Sequence, residues 1–99
     1  MSFVTTHPEA LASAASGLQN IVAVAAAGNA AAATSTTGVI PAAADEVSVL
    51  TAAQFAAHAA LYQTISAQAT AIHELFVATL GTSAGSYAAT EAANALTAL

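Results

Sequence analysis

The 99 residues contain no Lys, no Arg and no Cys, five carboxylates and three His, for a formal charge of −5, and 58% of them are hydrophobic. Without Lys or Arg the chain has no permanently cationic side chain with which to neutralise phosphate, which makes nucleic acid and anionic lipid heads poor partners, while association with a membrane stays possible. Without Cys it has neither disulfides nor thiolate chemistry. At this length a core built from one chain buries too little surface to be secure, so so much apolar surface implies a partner. About a third of the residues are Ala, the best helix former, and the β-branched residues do not alternate as in a half-buried strand, so the expected class is all-α.

The N-terminal Met1-Ser2-Phe3-Val4-Thr5-Thr6 offers neither the positive n-region of a Sec signal nor the twin arginines of a Tat signal. Thr6-His7-Pro8-Glu9 predicts a helix start, with Thr6 or His7 as N-cap, Pro in the first turn and Glu9 at the positive dipole end. Helix 1 is expected from about Pro8 to Thr36. At 100° per residue Leu11, Leu18, Ile21, Val22 and Ala25 share an arc of about 100°, the width of a core-facing stripe, and Asn29 lies within it. The most apolar stretch, Ile21 to Ala33, is only about 13 residues long and is interrupted by Gly28-Asn29, so no transmembrane helix is expected.

The segment 34–41, with its Thr residues, Gly38 and Pro41, predicts a helix exit. Asp45 is placed to cap a second helix, with Glu46 in its first turn and Ser48 three residues on. With no Gly or Pro before Gly81, helix 2 is expected over about 45–80. Its stripe of Val47, Leu50, Leu61, Ile65, Ile72, Leu75 and Phe76 again spans about 100°, with Phe55, Tyr62, His73 and Leu80 beside it. The opposite side carries Ala52, Ala56, Gln63, Ser66, Thr70 and Glu74. Residues 81–86 form an expected interruption, and 87–99 a loosely held tail. Two such helices make an antiparallel αα-hairpin with a single seam, and a second pair of helices would complete a bundle. Leu11, Leu18, Ile21, Val22, Val47, Leu50, Gln54, Leu61, Ile65, Ile72 and Phe76 are the candidate partner interface.

No catalytic constellation survives geometry. Gly81-Thr82-Ser83-Ala84-Gly85 matches the G-x-S-x-G elbow, but that motif needs a preceding strand and a later acid and His, and no His follows His73. The same two glycines match G-x-x-x-G, which counts only within an apolar membrane helix. His58 and His73 lie about 22 Å apart along a continuous helix, too far to share a metal. Glu74 points about 100° away from His73, and Asp45 with Glu46 is explained by capping. No catalytic, metal or cofactor site is therefore expected. Gln54, His58 and Gln68 in the stripe of helix 2, with Asn29 in that of helix 1, serve either as ordinary edge hydrogen bonds or as amides fixing register with one partner. Tyr87 and Glu91, four apart, share a helical face.

Pro8-Glu9, the run Ile40-Pro41-Ala42-Ala43-Ala44-Asp45-Glu46-Val47-Ser48 and Tyr87-x-x-x-Glu91 together resemble the mycobacterial PE family over essentially the whole sequence. Thr51 to His58 and Gly85 to Asn94 are most similar to the short PE proteins of the fifth mycobacterial type VII secretion system. The resemblance implies a helical hairpin, here 1–86, that pairs lengthwise with a PPE protein in a four-helix bundle. It also implies a C-terminal Y-x-x-x-D/E export signal, mapping onto Tyr87 and Glu91 in 87–99, and an EspG-type chaperone that grips the PPE subunit. The family's Pro-Glu pair maps onto Pro8 and Glu9. The implied destination is secretion to the cell wall or surface, with a role in host interaction or the cell envelope. A membrane-active or channel-forming component for solute uptake is the alternative from another class.

Overall fold

The computed structural model describes residues 4–99 and contains two helices, α1 (Pro8–Thr37) and α2 (Glu46–Thr97), packed as a hairpin, with no strand among the described residues. Residues 1–3, which entered the signal-sequence reading above, lie outside the described residues. The chain divides into two compact units, one formed by residues 1–22 and 72–99 and the other by 23–71. Each unit joins part of α1 to part of α2.

The helix starts follow local chemistry. Pro8 opens α1 at a position where its missing N–H costs nothing. The backbone carbonyl of His7 accepts from the Ala10 and Leu11 amides, and the His7 ring lies 3.4 Å from Glu9 in an exposed pair. At the other end α1 runs to Thr37, where the Thr36 and Thr37 hydroxyls bond back to the carbonyls of Ala32 and Ala33. A Cβ at Gly38 would sit 3.0 Å from the Thr34 carbonyl oxygen, whose lone pair already receives the Gly38 N–H. Asp45 caps α2: its carboxylate accepts from the Ser48 amide at 3.0 Å and from the Ser48 hydroxyl at 2.7 Å. Those two bonds hold its pKa below the ordinary 3.8, led by the hydroxyl.

The seam of unit 2 is built from small residues, whereas that of unit 1 sets two buried alanines among larger aliphatic side chains. In unit 1, Ala15 and Ala84 are buried while Leu11, Leu18, Val22, Val77 and Leu80 are half-buried. In unit 2, Ala52 is buried, and Ala26, Asn29, Ala33, Ala56, Ala59, Gln63 and Ser66 are half-buried. Their alternating three- and four-residue spacing is the seam of two nearly parallel helix axes, and small side chains there let the backbones approach. A polar hub sits in it. Asn29 Nδ2 donates to Ser66 Oγ at 2.5 Å, Tyr62 Oη donates to Asn29 Oδ1 at 3.0 Å, and Gln63 Nε2 donates to the Asn29 carbonyl at 3.0 Å.

Three expectations need correction. The apolar stripe of α2, whose arc marks a core face, is turned outward, and the opposite side with Ala52, Ala56, Gln63, Ser66 and Thr70 meets α1 instead. The helix does not stop at Leu80: residues 81–86 are helical and α2 runs on through the expected loose tail to Thr97. Both glycines there have ordinary helical backbone, neither having positive φ, and the Thr82 hydroxyl bonds back to Ala78. Two isolated glycines cost about 1 kcal/mol each against Ala, which flanking Ala-rich turns and the buried Ala84 can offset. Finally, the apolar part of α1 is not limited to the about 13 residues, 21–33, on which the expectation of no membrane-spanning helix rested. Among the described residues α1 is the one helix long and apolar enough, by length and composition, to cross a membrane.

Candidate functional site

The chemistry that stands out is exposed hydrocarbon. In unit 2, Val47, Leu50, Phe55, Leu61 and Ile65 each leave more than half of their surface open, and Gln54 and His58 are exposed among them. In unit 1, Ile72, Leu75 and Phe76 do the same at 68%, 69% and 51%. Isolated exposed apolar residues are ordinary, but repeated rows of the largest ones mark interaction surface. Of the predicted interface residues, Val47, Leu50, Gln54, Leu61, Ile65, Ile72 and Phe76 lie on these faces, and Ile21 on α1 is likewise exposed, at 65%. Leu11, Leu18 and Val22 are instead half-buried in the intrachain seam.

Unit 2 also carries an open groove of about 340 Å³ near the helix connection, lined by Ser35, Thr36, Val39, Phe55, His58 and Tyr62, among others. Its lining is chiefly apolar, with the His58 ring as the main titratable group. His58 and His73 belong to different units. Among the described residues no group of three or more His, Cys, Asp or Glu comes together to hold a metal.

Unit 1 holds the Tyr87–Glu91 pair. Tyr87 is 47% exposed and borders an open cleft of about 330 Å³ with Thr82, Ser83, Ser86 and Thr90, a lining rich in hydroxyls. One turn on, the half-buried Glu91 carboxylate accepts a hydrogen bond at 3.0 Å from the hydroxyl of Thr6. Thr6 was expected only as a possible cap for α1. Its hydroxyl instead reaches 85 residues along the sequence, a contact for which the sequence holds no local signal. Pro8 and Glu9 lie in the first turn of α1, Glu9 exposed beside His7.

The PE family model matches residues 4–94, more than nine-tenths of the sequence. This chain belongs to the PE family. Among its relatives, PE family protein PE13 of Mycobacterium tuberculosis is 68% identical over 95 residues, covering 96% of each chain. PE8 and PE_PGRS33 of the same species are 55% and 57% identical, but this PE chain spans only 34% and 20% of their respective lengths. The similarity to PE13 thus extends nearly end to end, whereas the longer relatives carry additional sequence beyond the shared region.

Proposed function

We propose that this PE chain is a secreted interaction subunit: it pairs lengthwise with a PPE protein in a four-helix bundle and carries the export signal of the pair. The observation that supports this most directly is the exposure of the large apolar side chains of α2, with Leu61, Ile65, Ile72, Leu75 and Phe76 all outside the seam. Covering those five residues, each already about half or more exposed, contributes roughly 5 to 10 kcal/mol before ordering costs. A PPE protein, by the family resemblance, supplies the matching helices, and an EspG-type chaperone grips that PPE subunit. In this reading Tyr87 and Glu91, in the segment 87–99, form the element met by the type VII machinery, the pair is delivered to the cell wall or surface, and the chain performs no catalysis.

Co-expression against a panel of PPE proteins tests the pairing. Wild type is expected to co-purify with its mate, and Leu61→Asp or Ile65→Asp to lose it while remaining helical. A purified chain with a concentration-independent monomer mass and a cooperative melt would remove the need for a partner. For export, Tyr87→Ala and Glu91→Ala are expected to keep the PPE partner but vanish from culture filtrate.

The length and apolarity of α1 favour a second reading, a membrane-active component. Retention in carbonate-washed membranes would support it, whereas a water-extractable heterodimer supports the first.

A further inference from the structure

We infer that Thr6 is a positioning residue for Glu91, so that the export motif is composite: two residues of α2 and one hydroxyl from the opposite end of the chain. This rests on the assignment of Tyr87 and Glu91 as the export signal.

Four observations lead to it. The Thr6 hydroxyl donates to Glu91 Oε1 at 3.0 Å across 85 residues. Both residues are half-buried, where a hydrogen bond to a carboxylate is stronger and more directional than in open water. The chain has no Lys or Arg side chain to pair with a carboxylate, and at Glu91 a side-chain donor in place is the Thr6 hydroxyl. Thr6 is also free of the task its position suggests, because the first amides of α1 turn to the His7 carbonyl rather than to a Thr6 side-chain cap.

The consequence is conformational. A Glu on a helix surface has three rotatable bonds and samples several rotamers. Bonded to Thr6, its second oxygen is presented in a fixed relation to the Tyr87 ring one turn earlier, beside the hydroxyl-lined cleft. A receptor reading a phenol and a carboxylate together then meets a preorganised pair and is spared the cost of ordering it. The last residues before α1 thereby become part of the signal.

The test uses the full chain expressed with its PPE partner in a mycobacterium, with the exported fraction and co-purification both measured. Thr6→Val keeps the β-branched shape and removes the hydroxyl; it should lower the exported fraction about three- to ten-fold, the population effect of one net hydrogen bond, with pairing intact. Thr6→Ser, which restores the hydroxyl, should export normally. Export of Thr6→Val at or above the wild-type level, while Glu91→Ala is blocked, would overturn the positioning role and leave the motif standing. Normal export of Glu91→Ala would instead remove the motif itself. Loss of the PPE partner from Thr6→Val would also overturn the inference, because the hydroxyl would then serve the fold.

Discussion

Asn29 is the place where the hairpin's pairing can be weighed. Replacing it by Ala removes the bond to Ser66 and the bond from Tyr62, but leaves the Gln63 amide on the backbone carbonyl, which Ala also has. Two side-chain hydrogen bonds contribute about 1 to 3 kcal/mol net, and the better helix propensity of Ala returns about 0.6 kcal/mol. Because Tyr62 is half exposed, its bond belongs at the low end, so the expected loss is about 1 to 2 kcal/mol. For a chain of this size that corresponds to a melting temperature lower by roughly 5 to 15 °C. The assay is a far-UV circular dichroism melt of Asn29→Ala, Tyr62→Phe and the double variant, all in the same assembly state and at one concentration. The double variant should lose less than the sum of the singles, with a coupling of about 1 kcal/mol. Strictly additive effects, with each single change below about 0.3 kcal/mol, would show that the hub contributes nothing beyond solvent hydrogen bonds.

Size in the seam should matter more than size outside it. Ala52→Leu inserts three carbons where the side chain is 6% exposed and should cost about 1 to 3 kcal/mol, whereas Leu61→Ala on the outer face should leave the melt of the unpartnered hairpin within about 0.5 kcal/mol. Gly81→Ala adds a Cβ that meets nothing within 4 Å on an already helical backbone, so it should raise stability by about 0.5 to 1 kcal/mol; an unchanged melt would mean the helix breaks there in solution. Ser48→Ala should return the Asp45 carboxyl toward its ordinary 3.8, visible by NMR titration. Since the folded value lies below the unfolded one, the cap's contribution is present above about pH 4 and is lost as pH falls through the folded pKa; Ser48→Ala should therefore flatten the acid limb.

What was legible in the sequence was legible for local reasons. Pro8 and Asp45 mark helix starts through groups within four residues of themselves, and both helices begin where those signals lie. The exit after Thr37 is written in Gly38 and Pro41. Misplaced features depended on what a helix meets, or on a weak preference that its surroundings override. Gly81 and Gly85 disfavour helix by an amount small enough for their context to carry α2 through. Thr6 sits at a position where capping is the local expectation, and only the packed hairpin shows its hydroxyl on Glu91.

The orientation of α2 is the most instructive of these differences. Periodicity locates an apolar stripe but says nothing of which surface buries it, and the usual assumption is that the largest residues face the chain's own core. Two helices alone can bury large side chains only in part: in unit 1 Leu11, Leu18, Val22, Val77 and Leu80 face the seam and remain half-buried. In unit 2 a seam of Ala, Ser and Asn satisfies its amides across the pair through Asn29 and leaves Leu50, Phe55, Leu61 and Ile65 on the outside. Such a division makes chemical sense when the larger hydrophobic gain is deferred to a later association. The small-residue seam then fixes the register of the two helices, and the outer rows of Leu61, Ile65, Ile72 and Phe76 supply the driving force for whatever closes over them.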